Sequence, residues 1–220
     1  MLVGSGGLGS NMAKIFVQMG IGQISLVDRD LVEDSNRNRQ LFTAADVGQA
    51  KAHAVLRNLA PFAVERTLLR GYYMTFAKWA DGRAGQAQAI CCGVDNSSTM
   101  IAVAKFGLHT MVPVIFTNVS RDGEAFRVFI QRCGPGDPCF GCYMPAALDP
   151  AAGRDQSCTP VPAVADILQV AVGFGARATI GEILGVPIGE YNARNITFSG
   201  IDIKKIVAKR PDCRLCGRDQ

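Results

Sequence analysis

The 220-residue chain is short of several things, and each shortage narrows what it can do. It has no long run of lysine and arginine. A net charge of +4 permits an anionic ligand or an acidic protein partner, but no basic groove for nucleic acid, and none is expected as a partner. It has no long apolar run without interruption. The most apolar segment, Val161 to Ala176, contains Asp166, Gly173 and Gly175 and reads as too short and too broken to span a bilayer. The opening MLVGSGGLGS lacks the basic start and apolar stretch of a secretory signal, so a cytoplasmic location is expected. There is no internal repeat and no low-complexity linker. The only two histidines, His53 and His109, fall in predicted helices without a partner that suggests catalysis. The single tryptophan, Trp79, reads as a packing or partner-contact residue.

What is present suits one folded unit. Apolar residues make up 48% of the chain and charged residues 19%, enough to bury a sizeable core. Residues 1–122 alternate strand and helix. Met1 to Gly4 reads as a strand end, and Leu8, Met12, Ile15, Phe16 and Met19 lie at helical spacing. Strands are predicted at Ile24–Asp28, Ala87–Gly93 and Val112–Thr117, with helices at Asp46–Leu59 and Ser97–Leu108. That rhythm predicts an α/β fold, a Rossmann-like, mostly parallel sheet with helices on both faces. Residues 123–220 read as α+β and continuous with the first half, in a single domain over 1–220. Phe126–Ile130, Asn195–Phe198 and Ile201–Val207 look like antiparallel strands. A loop from Gly134 to Pro160 precedes a long apolar helix, roughly Ala163 to Leu184.

Gly4, Gly6 and Gly9 form a G-x-G-x-x-G between strand and helix, where glycines let a phosphate approach the backbone and the helix N-terminus favours its charge. Alone, the motif points to NAD(P), with Asp28 at the next strand end as a ribose ligand. It also fits a tight turn with no ligand. The following residues favour a triphosphate. Asp30 puts a second carboxylate at that strand end. In SNRNRQ, Ser35 is placed to cap a short helix, which puts Asn36, Arg39 and Gln40 on one face. Lys51 opens the next helix, and Asp95 and Asn96 end the strand at 87–93. Cations neutralise phosphate charge and a carboxylate can hold magnesium, whereas a redox cofactor has no use for so many donors.

GSGGLGS, DRD, SNRNRQ, VGQAK and VDN resemble, in order and spacing, the ThiF/MoeB family of adenylating enzymes, which includes the activating enzymes of ubiquitin and its relatives. The likeness runs from Gly4 to Gly217, and the SNxxRQ block is highly specific. The resemblance implies that the glycine loop (Gly4, Gly6, Gly7, Gly9) and Asp28 hold ATP. It puts Asp30, Asn36, Arg39, Gln40 and Lys51 around the ribose and phosphates. Asp95, beside Asn96, binds magnesium or positions the reacting groups. The implied reaction is attack by the C-terminal glycine carboxylate of a small β-grasp protein, ending in Gly-Gly, on the α-phosphate of ATP. Arg39, Lys51 and Asp95 carry the chemistry, and the products are an acyl-adenylate and pyrophosphate. A homodimer or heterodimer is expected. Two other readings remain: a non-catalytic subunit that binds nucleotide and partner, and an NAD(P)-dependent oxidoreductase.

Eight cysteines are many. Cys139 and Cys142 (CFGC) with Cys213 and Cys216 (CRLC) form two C-x-x-C pairs, the pattern of a tetrahedral zinc site in a reducing compartment. Four thiolates leave no open position, so the metal is expected to be structural, and the resemblance supports zinc. Cys158, in QSCTP, reads either as an inert loop cysteine or, by the resemblance, as the residue that takes the activated partner covalently. Cys91 and Cys92 read as packing residues and Cys133 as a bystander. Arg37 stands where relatives often have an apolar residue, as a further cation at the phosphates or merely an exposed one. Relatives usually carry an upstream helical segment with an arginine that reaches the partner's phosphates. By comparison the chain reads as N-terminally truncated, through a misplaced start, an arginine supplied by another subunit, or a degenerate partner.

Overall fold

The computed structural model describes residues 1–64, 66–81, 87–120, 122–149, 165–186 and 188–217. The first half runs β1 (Leu2–Val3), α1 (Gly7–Gln18), β2 (Gln23–Asp28), α2 (Lys51–Leu59), β3 (Leu68–Tyr73), α3 (Phe76–Ala80), β4 (Ile90–Cys92), α4 (Ser97–Thr110) and β5 (Val114–Val119). The second runs β6 (Ala125–Gln131), α5 (Phe140–Tyr143), α6 (Ala165–Leu184), β7 (Ala193–Thr197) and β8 (Asp202–Lys205). All eight strands form one sheet in the order β3-β2-β1-β4-β5-β6-β7-β8. Strands β1 to β5 are parallel, and β6 to β8 add on antiparallel.

The pleat sorts side chains between two cores. Leu2, Leu26, Cys91 and Ile115 share a register row and pack with α1, α2 and α6 on one face. Their successors Val3, Val27, Cys92 and Phe116 pack with α3, α4 and α5 on the other. Cys91 and Cys92 are therefore packing residues, as their buried strand suggests. Burial pushes both thiols up, Cys92 to about 12, far from any reactive range.

Several elements differ from the sequence reading. Strand β3 was not expected: LLRGYY lies half-exposed at the sheet edge, with Gly71 interrupting its apolar pattern. The helix expected over Asp46–Leu59 begins at Lys51, because Gly48 takes a φ of +83° and breaks the chain after a 3-10 turn at Ala44–Asp46. The strand expected over Ala87–Gly93 is only Ile90–Cys92. The loop expected from Gly134 holds α5 and a 3-10 turn at Pro145–Leu148. Helix α6, by contrast, ends at Leu184 as read from the sequence and begins at Ala165, the first described residue of that stretch. By length and composition alone it could cross a bilayer, yet 56% of its most apolar window is buried inside the protein. It packs on α1, β5 and β6, so its apolarity is used in the core.

The chain reverses direction across the sheet between β1 and β4. β1 leads to β2 on one side, and β3 returns to β4 on the other. Open α/β sheets bind ligands at the carboxyl ends of the strands flanking such a point.

Candidate functional site

The glycine loop occupies that switch point. Gly4 follows β1 at a φ of +88°, a left-handed conformation that a side chain would strain, and a Cβ on Gly9 would lie 1.9 Å from the Gly4 carbonyl oxygen. Gly6 caps α1, and no described residue comes within 4 Å of where its Cβ would stand before the helix N-terminus. That arrangement presents unsatisfied N–H groups to an anion. The loop after β4 lies against it: a Cβ on Gly4 would meet Val94 Cγ1 at 2.8 Å. Asp95 and Asn96 follow directly. Asp95 is exposed, and Asn96 caps α4 by accepting the Thr99 N–H at 2.8 Å. Its carbonyl oxygen thus has a local duty that sequence reasoning did not assign.

Asp28 ends β2 and fastens the loop. One carboxylate oxygen accepts the Ser5 N–H at 2.6 Å and the Ser5 hydroxyl at 2.7 Å, and the other accepts the Asp30 N–H at 2.8 Å. A carboxylate offers about four acceptor positions, so room for one ligand hydroxyl remains. The Asp30 side chain stands 3.5 Å from the Lys51 ammonium, and the Lys51 N–H reaches the Asp30 carbonyl at 3.0 Å. The Lys51 side chain is only 11% exposed. A buried cation in the first turn of a helix opposes the helix dipole, a local cost that the Asp30 carboxylate offsets in part.

The SNRNRQ stretch makes a tight turn. Asn36 and Glu33 cap each other, Asn36 Oδ1 accepting the Glu33 N–H at 3.0 Å. Glu33, not Ser35, is therefore the cap of the 3-10 turn at Asp34–Asn36. The longer Glu33 side chain reaches the Asn36 N–H, while the Ser35 hydroxyl turns back to Glu33 at 3.4 Å. The Asn36 carbonyl accepts the N–H groups of both Arg39 and Gln40, so the three residues do share one turn. Arg37 is spent on Asp34 in a surface ion pair at 2.5 Å. Arg39 is different. Its guanidinium donates to two neutral oxygens, the Ser35 carbonyl at 3.1 Å and Asn38 Oδ1 at 2.9 Å. Among the described residues no carboxylate pairs with it, and its Cγ lies 3.8 Å from where a Cβ on Gly7 would be. Among the described residues the buried Gln40 Oε1 has no hydrogen-bond partner. An orphaned acceptor and an uncompensated cation beside a glycine loop fit an anionic ligand with donor groups of its own.

Sequence reasoning missed Asn11. It is buried in α1, and its amide donates to the Gly7 carbonyl at 2.7 Å and the Arg39 carbonyl at 3.1 Å. Its Oδ1 accepts from Gln169 of α6 at 3.0 Å. One side chain thus joins the loop, the Arg39 turn and α6. No signal in the sequence marks it, because its partners lie 28 and 158 residues away along the chain. Cys158 lies outside the described residues.

The four knuckle cysteines come together. Their Sγ atoms all lie within 4.8 Å of one another, with separations of 3.8 Å for Cys139–Cys142, 3.6 Å for Cys139–Cys213 and 3.5 Å for Cys142–Cys216. Four sulfurs about 2.3 Å from a tetrahedral ion stand about 3.8 Å apart, so the set fits a metal of zinc's size and softness. Burial pushes the Cys139 thiol well up and Cys216 to about 11, and four thiols this close cannot ionise together without a cation among them. The Arg210 N–H points at Cys142 Sγ at 3.3 Å. Cys133 stays outside the cluster. Its buried thiol donates to the Val112 carbonyl at 3.3 Å, which bears out the bystander reading.

The two sites lie at opposite ends of the sheet. The glycine loop follows the carboxyl ends of the parallel strands. The first knuckle follows β6, whose last residue Gln131 pairs with Val114 at the start of β5.

Known proteins agree with this architecture. A model of the ThiF family matches residues 1–215. The chain belongs to the ThiF family. Among curated relatives of this ThiF-family chain, the sulfur carrier protein adenylyltransferase of Thermus thermophilus is 27% identical over 99% of the chain and 81% of its own length. The SAMP-activating enzyme E1 of Haloferax volcanii is 26% identical over 99% and 79%. The adenylyltransferase and sulfurtransferase MOCS3 of Mus musculus is 28% identical over 99% of the chain but 47% of its own length, so the chain spans about half of that relative. In three dimensions, E. coli MccB superposes with a TM-score of 0.80 at 21% identity, over 99% of this chain and 65% of MccB. That likeness confirms the Rossmann-like fold.

Proposed function

We propose that this ThiF-family chain is an ATP-dependent adenylyltransferase that activates the C-terminal glycine carboxylate of a small ubiquitin-like, β-grasp protein. The observation that carries the reading is Arg39: a cation without an acidic partner among the described residues, held beside Gly7 of the glycine loop, with the orphaned Gln40 next to it in the chain. The names borne by relatives, a sulfur carrier protein adenylyltransferase and an E1 activating enzyme, support the reaction class.

In this reading the triphosphate lies along Gly4, Gly6, Gly7 and Gly9 at the N-terminus of α1, and Asp28 and Asp30 meet the ribose. Asn36, Gln40 and Asn96 supply amide contacts. Asp95 is the residue to hold magnesium, which would lower the charge of the phosphates. A glycine carboxylate oxygen attacks the α-phosphorus. The bond from that phosphorus to the bridging oxygen breaks, and pyrophosphate leaves with the electron pair. Two anions must meet, and Arg39 and Lys51 offset their repulsion as charge builds in the in-line transition state. Zinc in the Cys139–Cys142–Cys213–Cys216 set supplies cross-linking only. The same proposal includes a covalent role for Cys158, a dimer and a cytoplasmic location. The cysteines among the described residues form no disulfide, which suits a reducing compartment.

Trapping tests the reaction. With ATP, magnesium and a glycine-terminated carrier, hydroxylamine should convert the carrier C-terminus to a hydroxamate seen by mass spectrometry. An unmodified carrier in the presence of bound ATP would sink the proposal. A Cys158→Ala variant that still forms the adenylate but no thioester with the carrier supports the covalent step.

A further inference from the structure

Gln131 ends β6 and is fully buried. Its amide is satisfied on both sides by backbone from two other elements. Nε2 donates to the Ala104 carbonyl of α4 at 2.9 Å and touches Cys133 Sγ at 3.3 Å. Oε1 accepts the Phe140 N–H at 2.9 Å. The orientation is fixed by chemistry, because the flipped amide would set oxygen against the Ala104 oxygen and NH₂ against the Phe140 N–H. Room for the amide is made by Gly107, where a Cβ would fall 3.1 Å from Nε2.

Phe140 directly follows Cys139, and it is the first residue of α5, which Cys139 caps. The bonded N–H is thus one of the free donors at the start of the knuckle helix. The Phe140 ring is buried and stacks on Phe116 of β5 with centroids 4.5 Å apart. Backbone and side chain of one residue are therefore both pinned, and the pin sits beside a thiolate ligand. Left alone, the four-residue α5 has too few hydrogen bonds to hold its own direction.

We propose that Gln131 is a positioning residue for the four-cysteine centre. It sets the direction of the Cys139–Cys142 knuckle against the sheet, so that those two sulfurs meet Cys213 and Cys216 at metal-binding spacing. This rests on the reading of the four cysteines as a metal site. Outer-shell partners of this kind contribute about 10–100-fold in metal affinity.

The test is chelator competition on the zinc-loaded full chain. Gln131→Met keeps the volume and loses the amide. It should weaken zinc retention by about 10–100-fold. Gln131→Glu keeps an acceptor for the Phe140 N–H and should retain more zinc than Gln131→Met. Thr179→Val removes a buried hydroxyl that meets Cys91 on the sheet face opposite α5, and it should hold zinc as the parent does. Gln131→Met binding as tightly as the parent, or Thr179→Val losing zinc equally, overturns the proposal. Should Gln131→Met not fold, amide exchange in the parent decides. Strong protection of the Phe140 N–H supports the pin, and fast exchange refutes it. A parent chain that takes up no zinc refutes the metal reading itself, and the same exchange measurement then judges the pin alone.

Discussion

Arg39 stands beside Gly7, and Lys51 is tied to the glycine loop through Asp30 and Asp28, so their surroundings divide the work. Lys51 has Asp30 at 3.5 Å as a standing partner, whereas among the described residues Arg39 has only neutral acceptors. Removing Arg39 therefore leaves nothing behind to rescue, while the charge it would offset goes unmet. Arg39→Ala should lower the adenylation rate by about 10²-fold with little change in melting temperature. Steady-state kinetics beside a thermal melt checks both parts, and an unchanged rate would remove Arg39 from the site. Asn11 predicts the opposite pattern. Asn11→Ala breaks the link between Gly7, Arg39 and Gln169 and should cost about 2 kcal/mol in urea unfolding. As candidates, Asp28 and Asp30 were legible in the sequence because two carboxylates at a strand end are unusual, and Arg39 and Lys51 because cations follow them before and at the start of the next helix. Asn11 was not, because its value lies in whom it touches, and touch between residues 11, 39 and 169 is a property of the fold.

At the scale of elements, Val32 and Phe42 anchor the segment between β2 and α2 in the core, and Asp46 adds a set of hydrogen bonds at its end. The buried carboxylate accepts the Thr43 N–H at 2.7 Å, the Thr43 hydroxyl at 2.8 Å and the Asn58 amide at 2.8 Å, and it pairs with Arg57. Burial works against its charge, yet these partners together hold its carboxyl below the ordinary 3.8. A depressed carboxylate stabilises the fold fully above the unfolded value and loses that contribution as pH falls through the folded one. Urea stability should therefore drop below about pH 4, and Asp46→Asn should flatten that part of the profile while costing about 2 kcal/mol at neutral pH. A profile identical to the parent's would contradict the assignment. Periodicity gave helices α1, α4 and α6 nearly to their ends. It failed at β3 and at the start of α2, where Gly71 and Gly48 interrupt the pattern, and at α5, where four residues are too few to show a period.

On the scale of the whole molecule, one sheet carries a candidate site at each of its two ends. The carboxyl end of the parallel strands holds the glycine loop with Asp28, Asp30, Arg39, Gln40 and Lys51, and the other end holds the cysteine cluster. The spacing of the cysteines was readable from the sequence. Their separation from the loop was not, because it depends on β6 running antiparallel to β5. That separation predicts independence. Stripping the metal should lower the melting temperature and leave the ATP affinity of the folded protein unchanged, as calorimetry and titration would show. The adenylation account as a whole is tested most directly by exchange of labelled pyrophosphate into ATP. The account predicts exchange with magnesium and a carrier ending in a free glycine carboxylate, and none when that carboxylate is amidated. Exchange indifferent to the carboxylate, or absent with glycine-terminated carriers while ATP is bound, would contradict it.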